Sequence, residues 1–182
     1  ADFMGAEKPG EIVFTSGTTQ AINLVAHSFG KRFINKDDEI IISNIEHHAN
    51  TVPWQVVCEE RGAKLKVIPV DDDGELIIEE YEKLLSSKTR MVAVNHVSNA
   101  LGTINPVKLI AEKAHAVGAK VLIDGDDDRW WNPEVVHRSG RIYFVRGSGQ
   151  IGERTSYVDP KNDIIFSGYS RRTHKISGLE FN

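Results

Sequence analysis

The sequence predicts an α/β fold with a doubly wound, mainly parallel β-sheet. Over the first 125 residues, short runs rich in Val and Ile alternate with helix-like segments. Such apolar runs are typical of strands that are buried on both faces of a parallel sheet. The repeated strand–helix–strand order, together with Gly62 and Gly118 at positions where helices should stop, favours this fold class.

Five strand-like runs are predicted, in this order: EIVFTSG (11–17), DEIIIS (38–43), LKVIPV (65–70), RMVAVNHV (90–97) and KVLID (120–124). The segments between them have the length and pattern of helices: TTQAINLVAHSFGKRF (18–33), HHANTVPWQVVCEERG (47–62), IIEEYEKLLSS (77–87) and NPVKLIAEKAHAVG (105–118). Ligands of such sheets bind beyond the carboxyl ends of the strands.

The pattern changes after residue 125. Turn residues flank two β-prone runs, RIYFVR (141–146) and TSYV (155–158), which predict antiparallel hairpins. We therefore expect two parts, an α/β domain over residues 1–125 and an atypical β-rich segment over residues 126–182. Trp130 and Trp131 lie in the second part, where they form either a small core or a binding face.

Composition and charge exclude several classes of protein. A net charge of −4 gives no reason to expect nucleic-acid binding. No apolar run reaches the roughly 20 residues that a membrane span needs, and no signal peptide is visible, so we expect no membrane partner and a cytoplasmic location. Cys58 is the single cysteine, which rules out an internal disulfide and a thiolate zinc cluster.

Polar residues follow the predicted strands. Thr15-Ser16-Gly17-Thr18-Thr19 opens a helix, so it offers either an anion site or simple helix capping by Ser16 and Thr18. His47 and His48 are adjacent and point in different directions, with no third metal ligand at a convincing spacing, so we predict no metal site. One alternative is that an imidazole ring stacks flat against an aromatic ligand. The other is that both histidines are partly exposed loop residues. Asn99 and Asp124 follow the last two runs.

Four blocks carry a resemblance: FTSGTTQAINLVAHSFG, IISNIEHHANTVPWQ, VNHVSNALGTINP and AKVLIDG. They are similar, in collinear order over about residues 5–125, to the Suf-type (group II) cysteine desulfurases. These belong to the class V aminotransferase family of fold type I pyridoxal-phosphate enzymes. The resemblance implies the large-domain fold of that class, pyridoxal 5'-phosphate as cofactor, and sulfur transfer from L-cysteine with L-alanine as product. It also implies a sulfur-acceptor protein, a role in iron–sulfur cluster assembly and a homodimer.

The resemblance assigns a role to each polar strand end. Thr19 falls on the threonine that contacts the cofactor phosphate, and the neighbouring Thr18 is a further cofactor-binding residue. His47 falls on the histidine that stacks on the pyridine ring. Asn99 falls on the asparagine that bonds the phenolic oxygen. Asp124 falls on the aspartate that pairs with the pyridine nitrogen, where it keeps the ring electron-withdrawing.

Two departures from the family pattern follow Asp124. Residues 126 and 127 are both Asp where the family has Ala-Gln, and a further acid would raise the pKa of Asp124 by like-charge repulsion. The family's SGHK block is interrupted by YSRRT, so Ser167 and His174 take the cofactor-binding positions and Lys175 that of the Schiff-base lysine. Lys175 and His47 are thus the catalytic candidates. Residues 126–162 show no correspondence with the family.

Three functional readings stay open. The first is a partial cysteine desulfurase, because the persulfide-forming cysteine and the C-terminal domain of the family have no counterpart in these residues. The second is a selenocysteine lyase or another class V enzyme, which shares the same cofactor blocks. The third is a non-catalytic α/β module with an interaction surface. Cys58 lies in QVVCEERG and is expected to be helical, buried and unreactive.

Overall fold

One eight-stranded sheet organises the chain. A computed structural model describes residues 10, 12–125, 144–146, 154–157 and 164–169. The strands are β1 (Ile12–Phe14), β2 (Glu39–Ser43), β3 (Lys64–Ile68), β4 (Thr89–Asn95), β5 (Lys120–Gly125), β6 (Phe144–Arg146), β7 (Arg154–Tyr157) and β8 (Ile164–Tyr169). Their spatial order is β1-β7-β6-β8-β5-β4-β2-β3. Among the strands described, β7 runs antiparallel to β1 and β6 and all other neighbours are parallel. The predicted α/β fold with a mainly parallel sheet is confirmed.

Helices cover both faces of this sheet. They are α1 (Thr18–Phe33), α2 (Val52–Arg61), α3 (Ile78–Leu84) and α4 (Val107–Ala116), and a 3-10 helix spans His48–Asn50. The chain moves in one direction along the sheet from β1 to β3 and back from β3 to β5. Right-handed crossovers therefore place α1 and α2 on one face and α3 and α4 on the other.

Contacts between the helices agree with this division. A Cβ atom added to Gly30 of α1 would lie 2.8 Å from the Val57 side chain of α2, so this glycine permits the two helices to approach closely. On the opposite face, the Tyr81 hydroxyl of α3 donates to the Ile110 carbonyl of α4 at 2.8 Å. Gly62 and Gly118 follow α2 and α4 with φ angles of 69° and 82°, as the helix-stop prediction requires.

The core lies against both faces of the three central strands of the α/β part, β2, β4 and β5. All residues of β2 are buried, as are most of β4 and β5. The expectation that all five runs are buried on both faces is wrong for β1 and β3. These two lie at the ends of the sheet, and Phe14 and Val67 are 68% and 43% exposed. Apolar composition alone does not distinguish a central strand from an edge strand.

The three later strands extend the same sheet. β6 pairs antiparallel with β7, and β8 pairs parallel with β5. The division of the chain at residue 125 stays a prediction. Trp130 and Trp131 lie outside the described residues. No helix in the described ranges is long and apolar enough to cross a membrane.

Candidate functional site

The carboxyl ends of the parallel strands meet at one edge of the sheet. Asp124, near the end of β5, lies in register with Asn95 of β4 on one side and with Ser167 of β8 on the other. Asp124 as a whole residue is 5% exposed. This edge therefore holds a buried carboxylate between two further strand ends, which is where ligands of doubly wound sheets bind.

The amino end of α1 lies at the same edge because β1 runs parallel to β6 and β8. Gly17 is the N-cap of α1, and no side chain caps this end. The alternative that Ser16 and Thr18 serve as helix caps is therefore wrong. The first N–H groups of an α-helix have no intrahelical partner and attract anions.

Thr18 and Thr19 differ in their surroundings. Thr18 is 6% exposed, and its hydroxyl has no hydrogen-bond partner among the described residues. Thr19 is exposed. Buried hydroxyl groups normally have a partner, so the Thr18 hydroxyl is available to an anion bound at this helix end.

Three strands, β7, β6 and β8, lie between β1 and β5 in the sheet, and neighbouring strands are about 5 Å apart. α1 lies over these three strands. The helix packs against β6, β8 and the 3-10 helix, which brings it towards the centre of the sheet. Asp124 lies near the end of β5, and Thr19, His47 and Asn99 follow strands that end at this edge. Convergence of the four side chains on one cleft stays a prediction.

His47 lies on the loop after β2, directly before the 3-10 helix. Its side chain is exposed, and its Nδ1 accepts a hydrogen bond from the Ala49 N–H at 3.1 Å. This contact assigns the proton of the neutral ring to Nε2. The rings of His47 and His48 are 6.2 Å apart and inclined by 81°, so they face different directions. No group of three potential metal ligands occurs among the residues described.

Glu46 is the residue of this edge that the sequence analysis missed. Its carboxylate accepts hydrogen bonds from Ser43 Oγ, from Asn95 N at 2.9 Å and from Asn50 Nδ2 at 2.7 Å. Burial of the carboxyl group raises its pKa to about 7, whereas the hydrogen bonds act in the opposite direction. The only signal in the sequence is an acid between a buried strand and the two histidines.

The raised pKa of Glu46 predicts a pH dependence of stability. Between pH 4.5 and about 7 the folded state retains a proton that the unfolded state has released, so the free energy of unfolding falls as pH rises. A shift of this size corresponds to at most about 3 kcal/mol. Urea denaturation across this range should show the decline, and Glu46→Gln should reduce it. An equal decline in both proteins would contradict the assignment.

Asn99 lies at the tip of the loop that leaves β4. Ser98 is 2% exposed, and its Oγ accepts from the Leu101 N–H at 3.2 Å while its carbonyl accepts from the Gly102 N–H at 2.8 Å. Gly102 adopts a φ of 77°, which favours glycine. This turn presents the exposed Asn99 beyond the end of β4.

Of the remaining predicted site residues, the structure describes Ser167 by its backbone alone. Ser167 lies on β8, where its backbone is in register with Asp124. His174 and Lys175 lie outside the described residues, as do the two acids at positions 126 and 127. Cys58 is 6% exposed within α2, and burial raises the pKa of its thiol to about 11. The expectation of a buried, helical cysteine is confirmed.

The described residues fit a ligand that carries both an anionic group and a cationic ring. The uncapped helix end with the unpartnered Thr18 hydroxyl suits a phosphate. The buried carboxylate of Asp124 suits a protonated ring nitrogen. Pyridoxal 5'-phosphate combines these two groups, so these residues are compatible with the cofactor.

Known proteins match most of the chain. The model of the class-V aminotransferase family matches residues 1–128. A probable cysteine desulfurase from Mycolicibacterium paratuberculosis is 50% identical over 151 residues, covering 83% of this chain and 22% of the relative. A cysteine desulfurase from Synechococcus elongatus is 55% identical over 123 residues, covering 68% of this chain and 20% of the relative. The chain thus spans about a fifth of these two relatives.

The matches differ in how far they extend along the chain. A stretch of 151 residues is longer than the first 125 residues, so the alignment extends into residues 126–162. The family model ends at residue 128, so the absence of a correspondence over residues 126–162 stays a prediction.

Solved structures show the same similarity. An apo cysteine desulfurase from Thermococcus onnurineus has a TM-score of 0.76 at 34% identity, covering 88% of this chain and 41% of that structure. The cysteine desulfurase CsdA from Escherichia coli has a TM-score of 0.74 at 29% identity, with the same coverage of 88% and 41%. Together with the family match over residues 1–128, these similarities show that the chain belongs to the class-V aminotransferase family.

Proposed function

We propose that this chain supplies the pyridoxal-phosphate-binding layer of a cysteine desulfurase, an enzyme that removes sulfur from L-cysteine and leaves L-alanine. The observation that carries this proposal is the Thr18 hydroxyl, which has no partner among the described residues, at the uncapped end of α1 and on the same sheet edge as the buried Asp124. The cysteine desulfurases that match the chain at 50–55% identity support the choice of reaction.

The family resemblance gives each proposed role, and the position of the residue at the sheet edge supports it. Thr18 and Thr19 with the first N–H groups of α1 bind the phosphate, and Asp124 binds the ring nitrogen. His47 lies against the ring through its exposed imidazole, and Asn99 reaches the ring oxygen from the loop after β4. When bound, pyridoxal phosphate supplies an electron-withdrawing ring that stabilises negative charge at the substrate Cα. The low exposure of Asp124 excludes water from its carboxylate, which strengthens its attraction for a cation.

The proposed roles of Ser167, His174 and Lys175 rest on the family resemblance. Ser167 and His174 bind the cofactor, and Lys175 is the lysine that attaches it covalently. A lysine in this role must be a neutral amine, so its pKa must be lowered by desolvation or by neighbouring cations.

The proposal also includes the subgroup of the enzyme, its partner and its location. The EHHAN, HVSNxLG and IDG blocks support the Suf-type group, and with it a sulfur-acceptor protein, a homodimer, a cytoplasmic location and a role in iron–sulfur cluster assembly. A selenocysteine lyase is the alternative within the same family. Parallel assays with L-cysteine and L-selenocysteine distinguish the two.

A spectroscopic experiment tests cofactor binding. The chain is incubated with pyridoxal phosphate and dialysed, and its visible spectrum is recorded. We expect an absorption band that survives dialysis, and reduction with borohydride should attach the cofactor to Lys175, as peptide mass spectrometry can show. Lys175→Ala should lose the band, whereas Lys36→Ala, which replaces an exposed lysine, should retain it. A colourless dialysed protein would contradict the proposal.

The thiol chemistry gives a separate prediction. Sulfur transfer needs an exposed thiolate, and Cys58 is buried with a raised pKa. The 182-residue chain should therefore release little alanine or sulfide from L-cysteine, and Cys58→Ser should behave in the same way. Cys58 should also react slowly with a thiol reagent until denaturant is added. Turnover that disappears in Cys58→Ser would show that this cysteine is catalytic.

A further inference from the structure

The carboxyl group of Glu46 connects three elements at the site edge. One oxygen accepts from the Asn95 N–H at 2.9 Å and from the Ser43 hydroxyl, and the other accepts from Asn50 Nδ2 at 2.7 Å. Ser43 ends β2, Asn95 ends β4 and Asn50 ends the 3-10 helix. A single side chain therefore ties the loop after β2 to two strand ends.

The two asparagines have few alternative partners. Asn50 is fully buried, and its side-chain oxygen accepts from the Trp54 indole at 3.1 Å. Asn95 is 4% exposed, and its side-chain Nδ2 donates to the Ile45 carbonyl at 2.6 Å. These contacts fix which group of each asparagine donates and which accepts.

His47 lies between the points at which this network holds the loop. Its carbonyl accepts from the Asn50 N–H at 2.8 Å, and its ring accepts from the Ala49 N–H at 3.1 Å. The imidazole itself is exposed. The conformation of His47 is thus set by backbone that Glu46 and Asn50 hold in place.

We propose that Glu46 is a positioning residue that holds the His47 loop (residues 44–50) against the ends of β2 and β4 and so fixes the direction of the His47 ring. The inference rests on the proposed function in one respect, namely that the His47 ring is held in place to contact the cofactor. Glu46 acts through His47 and does not itself touch the ligand.

The hydrogen-bond pattern determines which substitution is informative. In Glu46→Gln the amide oxygen retains the contacts with Ser43 and Asn95, but its NH2 group faces the NH2 group of Asn50. Asn50 cannot rotate without losing the Trp54 contact. Adding Asn50→Asp to Glu46→Gln restores the pattern, because the carboxylate introduced at position 50 accepts both from the amide introduced at position 46 and from the Trp54 indole.

Hydrogen exchange tests the loop directly in the 182-residue chain. In Glu46→Gln we expect the protection of the Asn50 backbone N–H, which donates to the His47 carbonyl, to fall about 10- to 100-fold. The loop should open more often because the buried Nδ2 of Asn50 has lost its acceptor on residue 46. Protection of Met91 and Val92 in β4 should not change. The double variant should recover to within about threefold of the parent. Glu59→Gln, the same change at an exposed position of α2, should have no effect.

Two further measurements separate positioning from general stability. Nitrogen NMR should show the Nε2–H form of His47 in the parent and the double variant, and a mixture of both forms in Glu46→Gln. The dissociation constant for pyridoxal phosphate should rise about tenfold or more in Glu46→Gln and recover in the double variant. Unchanged Asn50 protection in Glu46→Gln, or a mobile loop with unchanged cofactor affinity, would overturn the proposal. A parent that does not bind the cofactor refutes the proposed function, while exchange and NMR still decide the role of Glu46 in the loop.

Discussion

Replacing Trp54 with alanine is expected to lower the free energy of unfolding by about 3–5 kcal/mol. Trp54 is fully buried at the start of α2, and its indole donates to Asn50 Oδ1. The substitution leaves a cavity in the layer between α2 and the sheet, and it leaves the buried Asn50 oxygen without a partner. Urea denaturation followed by circular dichroism measures the loss.

Two variants separate packing from hydrogen bonding. Trp54→Phe retains much of the apolar volume but not the donor, so we expect a smaller loss of about 1–3 kcal/mol. Val56→Ala, at a position of the same helix that is 45% exposed, should change stability by less than about 0.5 kcal/mol. If Trp54→Ala were no more destabilising than Val56→Ala, the assigned burial of Trp54 would be wrong.

The elements of the α/β part were predictable because each is defined by local signals. The helical pattern of residues 18–33 coincides with α1, and Gly62 and Gly118 mark the ends of α2 and α4 through their left-handed conformations. The order of strands along the sheet depends on pairings between distant segments. This is why the exposure of β1 and β3 was missed.

The sequence predicts residues of the candidate site only where a motif points to them. His47, Asn99 and Asp124 follow strands that end at one edge, and a periodic pattern places those ends together. Glu46 carries no such signal, because its importance depends on Asn95, which lies 49 positions away in sequence. Hydrogen bonds between separate strand ends become visible only when the register of the sheet is known.

The thiol at position 58 was predictable for a different reason. An isolated cysteine in the middle of a helix is most often a packing residue, and Cys58 lies on the buried side of α2. The hydroxyl of Thr18 was less predictable. A threonine after a glycine suggests a cap, and only the geometry shows that no cap forms.

Removing the charge of Asp124 is expected to weaken binding of pyridoxal phosphate strongly. Removing one partner of a buried charge pair costs about 3–5 kcal/mol, so Asp124→Ala should raise the dissociation constant roughly 150- to 5,000-fold. Asp124→Asn retains the shape and one acceptor oxygen but not the charge. It should therefore cause a smaller loss, about 10- to 100-fold. Titration of the visible spectrum measures both.

The relative affinities of Asp124→Ala and Asp124→Asn test whether the negative charge is required. If charge pairing were irrelevant, Asp124→Asn would bind like the parent, because amide and carboxylate have nearly the same volume at this 5% exposed position. Asp72→Asn, the same change at an exposed turn, controls for net charge and should leave affinity unaltered. Circular dichroism must show that each variant is folded. Equal affinity in Asp124→Asn and the parent would assign Asp124 a structural role at the end of β5, since only a partner for a cation needs the negative charge.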